Sequence, residues 1–203
     1  MRGKLVVFEG IDGCGKTTQA KMLCDFAKGM GFDCIFVREP GGTRIGERIR
    51  DVLLKEEMDP RTELFLFLSA RSQLYSEVII PALERGEIVI SDRSPDSSLA
   101  YQGYGRGLDL EFVKKANEFA TFGIKPDLMF YIDIDVDTAL SRKDEKNRME
   151  IDTEFLERVR KGYLEFVSRK GYMVIDGKRS PEDIGAEIRD AFLKLVGGER
   201  KRW

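Results

Sequence analysis

Residues 10–17 read Gly10-Ile11-Asp12-Gly13-Cys14-Gly15-Lys16-Thr17, and their types and spacing suit the binding of phosphate. In the pattern G-x-x-x-x-G-K-[ST] the glycines let the backbone curl so that successive N–H groups point at phosphate oxygens. A helix that follows adds the positive end of its dipole. Lys16 is placed to reach the outer phosphates and Thr17 to hold Mg²⁺, with Thr18 continuing the same turn. A glycine-rich turn that binds nothing would match the bare pattern as well. This one stands between an apolar run at residues 5–8 and a helix-like segment, which is where the mechanism needs it.

Further along, Arg38 and Glu39 close a second apolar run and lead into Pro40-Gly41-Gly42-Thr43. Open α/β sheets form their ligand crevice at the carboxyl ends of the strands, so Arg38 is a candidate anion-binding residue. Phe67 and Arg71 stand four apart and share one face of a helix, an aromatic plane beside a guanidinium; packing plus a surface charge would give the same spacing. Asp92 ends a third apolar run, at the strand tip where a carboxylate can orient Mg²⁺, and Arg93 adds an anion-binding charge next to it. Ser97, Ser98, Tyr101 and Gln102 then supply hydroxyls, a phenol and an amide, a hydrogen-bonding set suited to a sugar and a base or, equally, to a solvated turn. The stretch 97–103 reads as a loop.

Asp133, Asp135 and Asp137 do not make a calcium loop, because the glycine and the distal glutamate of such a loop are missing; they read as strand-end and helix-capping carboxylates. Residues 141–148 are dense in charge of both signs and nearly without apolar anchors, so the segment at about 141–150 is expected to be a mobile lid. As a lid it would bring Arg142 and Arg148 over transferring phosphates; as a solvated face it would need no function.

Elements must hold these groups in place. Five short apolar runs, at residues 5–9, 34–37, 87–92, 128–132 and 172–175, alternate with helical spacing. That alternation predicts an α/β chain with a five-stranded parallel sheet flanked by helices. Helices are expected over 16–29, from a cap at Thr43, from Asp59-Pro60 to about residue 83, over 110–122, around 155–166 and over 181–196. Leu64, Phe65, Leu68, Leu74 and Tyr75 are the buried-face candidates of the long third helix.

The 203 residues are 42% hydrophobic, enough for a good core, and contain no linker-like stretch, so one domain over 1–203 is expected. A formal charge of -2 gives no field for nucleic acid or an anionic membrane surface. No apolar run approaches the roughly 20 residues of a membrane span. The chain enters its first strand by Leu5, which leaves no room for a leader, and its three cysteines, Cys14, Cys24 and Cys34, lack metal-ligand spacing. A cytoplasmic location is therefore expected. Charged residues make up 34%, a lean towards a heat-adapted source.

Taken in order, the phosphate loop, Arg38-Glu39-Pro40-Gly41-Gly42-Thr43, Phe67 with Arg71, Asp92-Arg93, Ala100-Tyr101-Gln102-Gly103 and the Arg-rich lid resemble the thymidylate kinase family over nearly the whole chain. The resemblance implies a P-loop NTPase-type, doubly wound fold, transfer of the γ-phosphoryl group of ATP to dTMP with Mg²⁺, and a homodimer. It implies that Phe67 stacks on thymine, that Arg71 bonds its carbonyl edge, and that Arg38 and Arg93 hold the monophosphate. Tyr101 then sits under the sugar and disfavours a 2′-hydroxyl, while Asp12 lies near the acceptor's sugar and phosphate. Some relatives carry an arginine in the loop where Cys14 stands here, paired with a lid poor in basic residues. This chain has the reverse arrangement, that of the bacterial type, so Arg142 and Arg148 become the candidates for stabilising charge in the transition state. Ser94 stands where many relatives have an aromatic. Phosphoryl transfer asks for alignment and charge neutralisation, and the chain has no histidine. Two alternatives stay open: a kinase for another deoxynucleoside monophosphate, and a nucleotide switch or binding module, against which stands the absence of an Asn-Lys-x-Asp sequence.

Overall fold

The computed structural model describes residues 2–142 and 152–197. Five strands, β1 (Lys4–Glu9), β2 (Cys34–Arg38), β3 (Ile88–Asp92), β4 (Leu128–Asp133) and β5 (Met173–Asp176), form one sheet in the order β2-β3-β1-β4-β5. Every pairing is parallel. Between them run α1 (Lys16–Gly29), α2 (Arg44–Lys55), α3 (Pro60–Leu74), α4 (Ile80–Glu84), α5 (Pro95–Ser98), α6 (Leu110–Ala120), α7 (Val136–Ser141), α8 (Thr153–Lys170) and, at the end, α9 (Pro181–Val196).

The strands read as unbroken apolar runs because both sheet faces are covered. Along β1, Val6 and Phe8 pack into the core shared with α1, α8 and α9, while Leu5 and Val7 point the other way, against Tyr75, Ile79 and Leu83. The register sets Arg38 beside Asp92 and Asp92 beside Phe8, so three strand tips and the glycine loop after Glu9 meet at one edge.

Helix starts follow local chemistry. Thr43 accepts from the Gly46 N–H at 2.9 Å, Asp59 accepts from the Arg61 N–H at 2.8 Å ahead of Pro60, and Asp135 accepts from the Thr138 N–H at 2.8 Å. The capping account of the aspartate triple therefore holds at Asp135, and Asp133 instead receives both arms of Arg160 at 2.9 and 3.0 Å.

Three expectations are corrected. The segment after Asp59-Pro60 is not one α-helix: residues Tyr75–Ile79 widen into a π turn just ahead of Pro81, whose ring and missing N–H interrupt an α ladder. Phe65 is not buried but 54% exposed, because the core of α3 is supplied by Leu64, Ala70 and Leu74. Residues 97–103 are not a loop: α5 runs into a π-helical stretch, Leu99–Gly105. Gly103 and Gly105 lower its helix propensity, and packing overrides it, with Tyr101 against Phe155 and Tyr104 against Phe166 at ring separations of 6.1 and 6.3 Å. The close approach depends on Gly162 of α8, where a Cβ would stand 2.5 Å from Tyr104 Cγ.

Candidate active site

The glycine loop turns sharply out of β1 and into α1. Gly13 has φ +87°, and a Cβ on it would stand 2.3 Å from the Ala139 carbonyl oxygen, so both conformation and space demand glycine. Gly15 caps α1 in the left-handed region with no side-chain partner for the first N–H groups, which leaves them for a ligand.

A cavity of about 420 Å³ opens at this sheet edge. Of the residues expected at the site, it brings together Asp12, Gly13, Gly15, Lys16, Thr17, Thr18, Arg38, Phe67, Asp92, Arg93, Ser98, Tyr101, Gln102 and Arg142. Gly10, Ile11 and Cys14 belong to the loop without lining the cavity, and Ile11 and Cys14 are each 1% exposed beneath it. Arg148 and most of the expected lid lie outside the described residues. Among the described residues the lining holds Lys16, Arg38, Arg50, Arg93 and Arg142 against the carboxylates Asp12, Glu39 and Asp92, an excess of positive charge suited to polyphosphate.

Arg93 is the join between the loop and β3. Its φ is +82°, rare for a residue with a side chain, and the turn aims the guanidinium back at the loop. There it meets the carboxylate of Asp12, donates to Ser97 Oγ at 2.9 Å and to the Tyr101 hydroxyl at 3.3 Å, and lies 5.0 Å from the Tyr101 ring centre. Burial works against its charge, but Asp12 together with Tyr101, Tyr163 and Glu9 outweighs it and holds its pKa well above the ordinary value. Tyr101 is pushed up to about 12, mainly by burial, so its hydroxyl stays protonated. Lys16 donates to the Ile11 carbonyl and to Asp12, each at 3.2 Å. Burial and Arg93 oppose its charge, yet Asp12 and Asp92 are among the neighbours that keep it raised.

The hydroxyl of Thr17 donates to Asp92 Oδ2, and Asp92 Oδ1 is buried with no partner among the described residues. A hydroxyl beside a half-satisfied carboxylate is a donor set that fits Mg²⁺, a cation that keeps most of its shell from water and phosphate oxygens. Among the described residues no group of three or more Asp, Glu, Cys or His side chains is arranged to hold a metal ion by itself.

Arg71 lies behind the cavity wall rather than on it, at 1% exposure. It donates to Glu39 Oε2 at 2.5 Å, to Ser98 Oγ at 3.0 Å, to the Ser94 carbonyl at 3.2 Å and to Asn117 Oδ1. Burial raises the pKa of Glu39, and Arg71 holds the rise in check. Arg38 donates to Glu47 at 2.8 Å at the cavity mouth. On the opposite side, Arg142 donates to the Gly177 carbonyl at 3.1 Å. Cys14 is not an activated thiol: burial pushes its pKa up.

Sequence reasoning missed two contributors. Arg50 lines the cavity and donates to the Pro40 carbonyl at 3.0 Å, but on an amphipathic helix it looks like one more solvated charge. Glu9, fully buried at the tip of β1, accepts from the Ser94 and Ser97 N–H groups at 2.8 and 3.0 Å and from the Tyr163 hydroxyl at 2.6 Å. It thereby fixes the turn that carries Arg93. The signal was a carboxylate ending an otherwise apolar strand. Ser94 takes part as the α5 cap, its hydroxyl on Glu9 at 2.8 Å.

A family model described as thymidylate kinase matches residues 8–188. Among curated proteins, a thymidylate kinase of Caldanaerobacter subterraneus subsp. tengcongensis is 51% identical, with 98% of this chain and 100% of that protein aligned. A thymidylate kinase of Thermoanaerobacter sp. strain X514 is 46% identical over 97% of this chain and 100% of its own length. One from Kosmotoga olearia is 46% identical over 93% of this chain and 94% of its own.

Proposed function

The chain belongs to the thymidylate kinase family, and from that premise we propose how its residues divide the transfer of a phosphoryl group from ATP to dTMP. The observation that carries the reading is that a phosphate-binding loop and a separate set of anion, ring and hydroxyl groups share one cavity, with Arg93 and Asp12 at their junction. A donor cradle alone would serve a hydrolase or a switch; the second set needs an acceptor.

On the donor side the N–H groups at the start of α1 take the β- and γ-phosphates, Lys16 neutralises them, and Arg142 works from the other bank; Arg148, outside the described residues, is the second candidate for that charge. Thr17 and Asp92 hold Mg²⁺, whose chemistry when bound is to neutralise and orient phosphate oxygens. On the acceptor side Arg38, Arg50 and Arg93 hold the monophosphate, and Phe67 offers its ring to thymine. Ser98 and Gln102 meet the base, with Arg71 behind Ser98 fixing its hydroxyl and lending positive charge to the side of the cavity that a thymine carbonyl would face. Tyr101, braced by Phe155 and Arg93, fills the space under the sugar where a 2′-hydroxyl would go. Asp12 keeps Arg93 turned towards the transferring group. The acceptor's own oxygen is the nucleophile, so positioning and charge are what the protein supplies.

The protein acts in the cytoplasm as a homodimer formed through α2, α3 and α6. Support comes from a stripe of exposed apolar side chains: Ile45, Val52, Phe65, Phe112 and Phe119, the last 88% exposed. No helix of the described residues is long and apolar enough to cross a membrane.

The test is an acceptor panel. With ATP and Mg²⁺, dTMP should give the highest kcat/KM, dUMP a lower one for want of the methyl group, and the ribonucleotide UMP the lowest. Preference for a purine or cytidine monophosphate would overturn the base assignment.

A further inference from the structure

A second cavity, also about 420 Å³, lies on the far side of Arg71, between α5, the C-terminal end of α6 and the turn into β4. The volume is within the range of small-molecule sites, about 300–1,000 Å³. Its floor is apolar, made by Pro95, Leu99, Ile124, Pro126 and Met129. Its rim carries Lys114 and Lys125, both exposed and neither in an ion pair among the described residues. A third rim lysine, Lys170, is committed to Asp96 at 2.5 Å, and Asp96 is further satisfied by the Tyr172 hydroxyl at 2.8 Å. Glu118 is the remaining rim acid, so unpaired positive charge exceeds unpaired negative charge.

The wall between the two cavities is one side chain thick. Arg71 donates forwards to Glu39 and Ser98, which line the first cavity, and backwards to Asn117 and the Ser94 carbonyl, both residues of the second. Lys114, Asn117, Glu118 and Thr121 recur at helical spacing on the cavity side of α6, whereas Phe112 and Phe119 share a different face. Association through those phenylalanines therefore leaves the second cavity open.

We propose that this second cavity is a regulatory site for a small organic anion with a flat apolar body, coupled to the first cavity through Asn117 and Arg71. The apolar floor takes the ring and Lys114 with Lys125 take the anionic group. A ligand drawing Asn117 away removes one of the two rear anchors of Arg71 and loosens the base end of the first cavity. The coupling rests on the reading of that cavity as the dTMP site; the binding does not.

The probe is an anilinonaphthalenesulfonate dye, fluorescent when desolvated, titrated into the whole protein. Saturable binding to one site is expected, persisting with dTMP and a non-hydrolysable ATP analogue present. Reversing the rim charge with Lys114→Glu and Lys125→Glu together should weaken the dye by about tenfold, the modest loss expected when exposed charges are reversed. Turnover at saturating substrates should stay within about twofold, since neither lysine is near the phosphates. Ile124→Trp, which fills the floor, should weaken the dye with the charges intact. Bound dye should raise KM for dTMP by about fivefold at unchanged kcat, and by reciprocity dTMP should weaken the dye by that factor and then no further. Displacement by dTMP without limit would assign the dye to the first cavity. Dye binding indifferent to both sets of substitutions would remove the site, and an unchanged KM would remove the coupling. None of these outcomes depends on whether dTMP is turned over best.

Discussion

Lys16 and Arg71 illustrate two ways in which a buried cation can matter. Lys16 faces the cavity, so Lys16→Ala should cost about 10²–10³-fold or more in kcat with little change in folding, as measured by steady-state kinetics beside thermal unfolding. Arg71 is buried against Glu39, with side-chain exposures of 1% and 3%. Removing it leaves a carboxylate buried without its counter-charge, and Arg71→Ala should therefore lose about 3–5 kcal/mol of stability as well as acceptor affinity. The sign of the pH effect follows. Burial already raises Glu39, and without Arg71 the rise is larger, so the variant's deficit is fully present at neutral pH and shrinks as pH falls and Glu39 takes up its proton. Denaturant titrations across the acid range should show the gap to the parent protein narrowing; a constant gap would contradict the pairing. Cys14 gives a complementary case. Its thiol is raised by burial, so alkylation in the folded protein should lag well behind the unfolded chain through the range in which ordinary thiols ionise, about pH 8–9, as read by peptide mapping. At this scale the sequence was informative wherever a residue type is forced by chemistry, as in Gly13, Lys16 and Asp92. It was silent where burial decides the role: nothing in the spacing of Phe67 and Arg71 says that one lines the cavity and the other stands behind it.

Elements were legible in proportion to how far local signals agree with packing. The strands carry continuous apolar runs and the caps at Thr43, Asp59 and Asp135 are spelled out, so both could be read directly. The segment Leu99–Gly105 could not, because its glycines argue for a loop and its helical form is imposed by α8. That dependence is testable at Gly162. Gly162→Ala, a change that favours an isolated helix, should instead destabilise the protein by about 1–3 kcal/mol, since the added methyl meets the Tyr104 ring. Tyr101 rides on the same segment, so KM for dTMP should rise along with the loss of stability. A stabilised Gly162→Ala protein would show that α8 does not hold the segment in place. The exposed Phe65 is a different lesson: its helical position reads as core until a partner surface is considered.

For the molecule as a whole, the parallel sheet explains why residues as far apart as Asp12, Arg38, Asp92 and Arg142 converge, because every strand delivers its carboxyl end to one edge. The apolar stripe on the other side of α6 makes a prediction about assembly. Phe119→Asp alters a side chain that touches little within the chain, so folding should survive while the mass measured by light scattering falls from a dimer's to a monomer's. What the chain does as a unit comes down to whether the second set of groups in the cavity takes a phosphoryl acceptor. The most direct measurement is the stoichiometry of products when ATP and Mg²⁺ are supplied with and without dTMP. The account predicts that dTDP and ADP appear one for one, that inorganic phosphate release is negligible, and that ADP formation nearly stops when dTMP is left out. ADP and free phosphate forming at a rate indifferent to dTMP would contradict it.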